Sequence, residues 1–235
     1  MPEYEDCQTI LNKPEAVAYA SDKITFFRRI KEHNEAQQFF YIPIPMWASI
    51  KEEAKTFTYP IFCRTKAQAY GGEGIVVAKK EDELVDAPLY TEGIPHAREY
   101  RFHVSRHHTV FSREFGMLEY DKCFFLQQKK RRQGQRVDGI IKNKASGWVF
   151  CHKNITPIED ILYKKISDTC DYVLDLFGLD FGAFDVLIKN GEFWILEVNT
   201  APGFDEDSTT CVKYEGMLYR ATHNFPYPCL GGGGG

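Results

Sequence analysis

An aspartate at 185, a glutamate at 197 and an asparagine at 199 are embedded in apolar, β-prone sequence. The first stands in Phe184-Asp185-Val186-Leu187-Ile188. The other two stand in Phe193-Trp194-Ile195-Leu196-Glu197-Val198-Asn199-Thr200-Ala201-Pro202-Gly203. Polar groups in such surroundings cost free energy unless they bind something. Glu197 and Asn199 are two apart on a predicted strand, so their side chains leave one face, which Phe193 and Ile195 are expected to share. Oxygen ligands lined up in this way suit Mg²⁺, which takes one or two carboxylates plus phosphate oxygens and waters.

Register tests that chemistry. Asn190-Gly191 is a hairpin signal, and a two-residue turn there pairs Lys189 with Glu192 and therefore Asp185 with Leu196. That parity points Asp185 away from Glu197. Three oxygens on one metal require instead a three-residue or bulged loop, setting Asp185 opposite Ile195 or Glu197, so an odd-length loop is predicted. The plainer alternative is a hairpin with an aspartate at its edge and a glutamate capping the next turn. The continuation Asn-Thr-Ala-Pro-Gly favours the metal.

The elements that must position these groups follow from pattern. Residues 15–34 read as one helix, with Ala16, Ala20, Ile24, Phe27 and Ile30 as an apolar stripe beside Lys23, Arg28, Arg29 and Lys31. After the break at Tyr41-Ile42-Pro43-Ile44-Pro45, a short helix over 48–55 leads to a strand over 60–64. The segment 68–77 places Gly71, Gly72 and Gly74 between two β-prone runs, where glycine frees the backbone to approach a ligand and to converge N–H groups on phosphate oxygens. The same glycines make an ordinary turn, and they match neither the P-loop nor the dinucleotide fingerprint. Strands are predicted over 88–92 and 98–104. Between Phe124 and Asn143 lies the most basic run, 127–136, read as a solvated face or flexible loop, with a weak nucleic-acid patch as one alternative. Thr156-Pro157-Ile158-Glu159 predicts a helix start with Thr156 as N-cap and Glu159 completing a capping box, and Gly178 is placed to end it.

Composition bounds the class. A chain of 235 residues with 43% hydrophobic and 26% charged residues can bury a substantial core in one large domain or two small lobes. A net charge of -4 argues against a surface given over to nucleic acid. Seven scattered cysteines with no C-x-x-C pair indicate neither a zinc site nor a disulfide framework. No window reaches the roughly 20 apolar residues of a membrane span, and the N-terminus lacks a signal pattern, so a reducing cytoplasm is the expected location. The tail 227–235, ending in five glycines, is expected to be disordered.

The order of these parts (basic residue on a strand, glycine-rich loop, linker strand, Glu-x-Arg strand, basic segment, amphipathic helix, Asp…Glu-x-Asn) resembles the ATP-grasp superfamily over roughly 59–204. The likeness is to the carboxylate–amine ligase branch that includes the ribosomal-protein glutamate ligase and D-alanine–D-alanine ligase. It implies an α+β fold in which two lobes with antiparallel sheets clamp ATP. It also implies a ligase that activates a carboxylate as an acyl phosphate for attack by an amine. By position, Asp185, Glu197 and Asn199 become Mg²⁺ ligands, with Mn²⁺ an alternative ion. Arg64 stands where the family has a phosphate-contacting lysine, a planar fork in place of a point charge. Gly71, Gly72 and Gly74 become the flap over the phosphates. Tyr90, Thr91 and Glu92 belong to the segment whose backbone reads the adenine edge, Glu92 being a candidate ribose acceptor. Arg101, Lys130 and Arg132 become catalytic cations facing the transferred phosphoryl group, with Arg131 a companion and Lys142-Asn143 a weaker substrate-side contact.

The organisation expected on this basis is a reduced N-terminal helical segment (1–58), a first lobe with the glycine-rich loop (59–92), a second lobe with the metal site (93–226) and the tail. Residues 1–58 are too few for the family's full substrate domain. The chain in this respect is similar to compact, stand-alone ATP-grasp proteins of bacteriophage and bacterial genomes, which would place a phage-encoded copy in the host cytoplasm. An open site of this kind favours an amino acid, a peptide or a protein end as the carboxylate or amine partner. Two rival readings are an ATP-grasp kinase that stops at the phosphorylated product, and a nucleotide-binding module without turnover that uses Lys129 to Arg132 on nucleic acid.

Overall fold

The β-prone segments assemble into two antiparallel sheets and a separate hairpin. This computed structural model describes residues 11–37, 39–66, 73–107, 110–114, 117–132, 141–143, 146–202 and 209–222. The smaller sheet contains β1 (Trp47–Ala48), β2 (Ile61–Arg64), β3 (Ile75–Ala78) and β4 (Leu89–Glu92) in the order β1-β4-β2-β3. Its inward residues Ile61, Cys63, Ala78 and Tyr90 pack with Ala54 of the short helix α1 (Lys51–Ala54), Phe57 and Leu84. Period-two alternation then turns Phe62 and Arg64 to the other side of β2.

The larger sheet contains β5 (Arg98–Ser105), β6 (Cys123–Arg131), β7 (Trp148–Cys151), β8 (Phe181–Lys189) and β9 (Glu192–Asn199), in the order β9-β8-β5-β6-β7. A two-stranded ribbon, Val110–Glu114 with Met117–Asp121, lies between β5 and β6 in the chain. One face of the larger sheet is the main core. There Tyr100, Phe102, Val104, Phe184, Val186, Phe193, Ile195 and Val198 meet Phe26, Phe27 and Ile30 of α2b (Lys23–Ala36) and Ile166, Val173 and Leu174 of α3 (Asp160–Phe177). The opposite face carries Glu99, Arg101, His103 and Asp185. At one end of it Tyr214 and Met217 of α4 (Thr209–Thr222) pack on Phe124 and Phe125. Apolar burial on one side thus holds rigid a sheet whose other side is polar.

Four expectations are corrected. The helix predicted over 15–34 is two helices, α2a (Pro14–Ser21) and α2b, because the Asp22 backbone is extended and its Oδ1 accepts from Thr25 N at 2.7 Å as an N-cap. The capping box at Thr156 does not form. Thr156 is drawn to the sheet, its N donating to Gln128 Oε1 (2.8 Å) and its O accepting from Tyr100 Oη (3.0 Å), so α3 starts at Asp160. Gly178 does end that helix, in the left-handed region at φ 69. The basic run is not a loop at its start, because Gln127 to Arg131 continue β6 inside the larger sheet.

The fourth concerns the metal strands. The hairpin loop is even, with Lys189 opposite Glu192 around Asn190 (φ 53) and Gly191 (φ 81), and not odd-length as predicted. The extra residue enters the ladder instead. Val186 pairs with Ile195 and Asp185 with Glu197, leaving Leu196 as a bulge. The bulge reverses parity, so Phe193 and Ile195 face the core with Val198 and do not share the face of Glu197 and Asn199. The glycine-rich loop at Gly71 and Gly72, the basic stretch 133–136 and the tail 227–235 lie outside the described residues.

Candidate active site

Three neighbouring strands bring Glu197, Asp185 and Arg101 into one row, because Asp185 is register partner to Glu197 on one side and to Arg101 on the other. Paired residues across an antiparallel ladder project from the same face. Arg101 donates to both oxygens of Asp185, Nε to Oδ1 at 2.7 Å and Nη2 to Oδ2 at 2.9 Å, a bidentate fork on a carboxylate only 4% exposed. Burial works against the Arg101 charge, but Asp185 outweighs it and raises the guanidinium's already high pKa. The guanidinium also lies 3.9 Å over the Phe150 ring.

The row continues to a residue that sequence reasoning had left on the polar side of a helix. Lys23, the first residue of α2b, reaches the edge strand β9 and its Nζ donates to Glu197 Oε2. Burial lowers Lys23 to about 8, repulsion from Arg64 adds to this, and Asp185 opposes it. Arg64, at the end of β2 in the smaller sheet, is the cation whose charge Lys23 feels. Burial lowers its pKa too, and its Nε is buried with no hydrogen-bond partner. Lys23 and Arg101 thus each bind one of the two carboxylates, and Arg64 adds a further positive charge on the side of Lys23. An unsatisfied buried N–H beside an excess of positive charge is the signature of a seat for an anion.

Among the described residues no group of three or more His, Cys, Asp or Glu could hold a metal ion. A divalent cation would rest on Asp185, Glu197, the Asn199 amide oxygen and oxygens of its own ligand, which is the donor set Mg²⁺ accepts. The carboxylates meet the requirement of facing one another in register. Asn199 Oδ1 at present accepts from Ala201 N at 3.1 Å. The residues fit the ion.

The remaining predicted residues divide. Gly74 closes the glycine-rich loop at φ +69, its O accepting from Thr65 N (2.8 Å) and Thr65 Oγ1 (2.9 Å). Tyr90 and Thr91 lie on an inner strand of the smaller sheet. Their strand is hydrogen-bonded on both sides, to β1 and β2, and the buried Tyr90 Oη donates to Val85 O while accepting from Ala87 N, both at 2.9 Å. Backbone that could read a base edge starts only beyond Glu92, whose own N donates to Met46 O.

Lys130 and Arg132 do not join the row either. Lys130 projects from the face of β6 opposite to Gln127 and Lys129 and donates to Asn154 O, and Arg132 is exposed beyond the strand end. In their place the buried Glu99, two residues before Arg101 on the same face, binds Lys129, which shares the Phe150 ring with Arg101. Burial raises the Glu99 carboxyl and Lys129 pulls it back. Beside this pair opens a cavity of ≈ 410 Å³ lined by Arg98, Lys129, Arg131, Lys142 and Trp148, and Lys130, though outside the row, lines it too.

No family model matches the sequence and no curated protein does. Solved structures do. D-alanine–D-alanine ligase from Bacillus anthracis superposes with a TM-score of 0.62 at 12% identity, over 88% of this chain and 67% of that one. The ATP-grasp ligase PsnB, complexed with minimal precursor, Mg and ADP, gives 0.55 at 15% identity over 92% of this chain and 63% of that one. Biotin carboxylase from Campylobacter jejuni, as a β-γ-ATP complex, gives 0.54 at 18% identity over 86% of this chain and 44% of that one. The chain therefore spans about two thirds or less of the length of these proteins. It has the ATP-grasp fold.

Proposed function

We propose that the protein is an ATP- and Mg²⁺-dependent ligase that joins a carboxylate to an amine through an acyl phosphate. The observation that carries this reading is the row Lys23–Glu197–Asp185–Arg101, together with the buried Arg64 Nε that has no hydrogen-bond partner. The complex of PsnB with minimal precursor, Mg and ADP supports it from a protein of the same fold. Bound Mg²⁺ would neutralise phosphate charge and be held by Asp185, Glu197 and Asn199.

The chain's own groups account for the rest. Lys23, from the start of α2b, and Arg64, from the end of β2 in the smaller sheet, reach the phosphates, one as a point charge and one as a fork. Arg101 holds Asp185 in place through two hydrogen bonds and remains charged at any working pH, so it balances charge that develops on the transferred phosphoryl group. Phosphoryl transfer needs positioning and charge neutralisation more than covalent help from the protein. A substrate carboxylate oxygen attacks the γ-phosphorus and ADP leaves. The amine then attacks the acyl carbon, loses a proton to solvent and expels phosphate. Nucleotide bases are read by the backbone between Glu92 and Arg98, and the basic cavity beside Glu99 gives an anionic substrate room next to the row. Among the described residues no helix is long and apolar enough to cross a membrane. We place the reaction in the cytoplasm, on an amino acid, a peptide or a protein end.

Incubation with ATP, Mg²⁺ and pools of amino acids and peptides should release ADP and phosphate together with an amide product found by mass spectrometry. AMP with pyrophosphate would contradict the acyl-phosphate route, and a stable phosphorylated product without an amide would select a kinase. Glu197→Ala should abolish turnover and keep the fold.

A further inference from the structure

Every carboxylate oxygen pair that would receive the divalent cation already has a cationic partner from the chain itself. Asp185 is gripped by Arg101 on the buried side. Glu197 is held by Lys23, whose side chain is 20% exposed against 35% for the carboxylate. The two pairs differ in what could undo them. Arg101 is bound at both oxygens and packed on Phe150, whereas Lys23 meets Glu197 through a single oxygen from a flexible stem at the open edge of the sheet. Lys23 also feels the charge of Arg64, whose buried Nε has no partner. An anion arriving between Lys23 and Arg64 satisfies both and frees Glu197. A metal ion arriving alone must evict an ammonium that has nowhere better to go.

We propose that Lys23 couples metal and nucleotide binding: seated on Glu197 it keeps a divalent cation out of the ligand-free site, and transferring to the nucleotide's phosphates it opens Glu197 to the metal. The inference rests on the Mg²⁺–nucleotide reading of this site and adds an order to it, in which free metal binds poorly and the two ligands enter as a pair. Because binding coupling is reciprocal, metal must tighten nucleotide by the same factor that nucleotide tightens metal.

Mn²⁺ serves as the probe, with bound and free ion distinguished by electron paramagnetic resonance in the presence and absence of ADP. Wild type should bind Mn²⁺ weakly alone and more tightly with ADP, by a factor on the order of the five- to 150-fold range usual for coupled sites. Lys23→Met should bind Mn²⁺ without nucleotide about tenfold more tightly than wild type, since the carboxylate no longer has a competing cation. It should at the same time bind metal-free ADP more weakly. Lys23→Gln, one atom shorter and with an uncharged donor, gives the same test should the methionine variant melt early. Equal Mn²⁺ affinity of wild type and these variants in the absence of ADP would overturn the coupling role while leaving the nucleotide site standing. Failure of wild type to bind ADP even with Mn²⁺ present would instead overturn the nucleotide reading itself.

Discussion

Acid should unfasten the polar face of the larger sheet at one residue, His103. Its ring is 1% exposed, with Nδ1 2.9 Å from Tyr214 Oη and Nε2 2.9 Å from Gln127 Oε1. An amide oxygen only accepts, so Nε2 carries a proton, and in the neutral ring that burial favours Nδ1 accepts from the tyrosine hydroxyl. Burial lowers its pKa from 6.5 to about 4, Gln127 resists, nearby Arg101 adds to the fall and Asp185 opposes it. Between these two values the unfolded chain binds a proton that the native state refuses, so stability is lost as pH drops through that window and is fully present above 6.5. At about 1.4 kcal/mol per unit, a span of roughly 2.5 units amounts to about 3 kcal/mol. Urea denaturation of wild type and His103→Gln at pH 7 and pH 4 isolates the effect, because glutamine can donate and accept but does not titrate. The stability gap between the two proteins should shrink by about 3 kcal/mol on acidification. Parallel loss in both, with the gap unchanged, would refute the assignment of a neutral, buried His103.

Two further perturbations separate architecture from function. Arg64→Met removes a half-buried guanidinium whose Nε is unsatisfied, so it should raise stability by about 1 kcal/mol in thermal melts. It should also weaken ADP binding by roughly 10- to 100-fold in calorimetry, the worth of a charge-assisted hydrogen bond. A lower melting temperature would show that Arg64 is structural. Gly93→Ala places a Cβ 2.7 Å from Pro60 O and 2.9 Å from Phe62 Cε2, directly where Gly93 N donates to Pro60 O at 2.7 Å. It should cost about 1–3 kcal/mol in urea denaturation, as overpacking does, and an unchanged midpoint would mean that the end of β4 yields freely.

What could be read from the sequence was local, and what could not was paired across the chain. Asn190-Gly191 and Gly178 announce their own backbone conformations: Gly178 ends its helix as expected, and Asn190-Gly191 makes the two-residue turn of the hairpin signal in place of the odd-length loop predicted. Asp22 sits inside a continuous apolar stripe, so its role as a cap was hidden by Ala20 and Ile24 on either side. Lys23 gave no sign of its task, because the partner that explains it is 174 residues away. Lys129 read as part of a solvated basic run for the same reason. Glu99, 30 residues distant, neutralises it and allows a lysine to sit in an inner strand. Tyr90 and Thr91 were placed correctly on a strand, but only the three-dimensional sheet reveals that β4 has neighbours on both sides.

The bulge at Leu196 is where fold and candidate chemistry depend on one another. Phe193 and Ile195 are two apart and both buried, and the next core residue, Val198, is three further on. No unbroken strand can bury all three, because period-two alternation would turn Val198 outward and Glu197 and Asn199 inward. The spacing of two and then three is therefore itself a bulge signal. Trp194 and Leu196 masked it by being apolar as well. Once the bulge is admitted, burying Val198 forces Glu197 and Asn199 to the polar face and brings Glu197 opposite Asp185, so the packing requirement of the core and the facing of the carboxylates are met by one inserted residue.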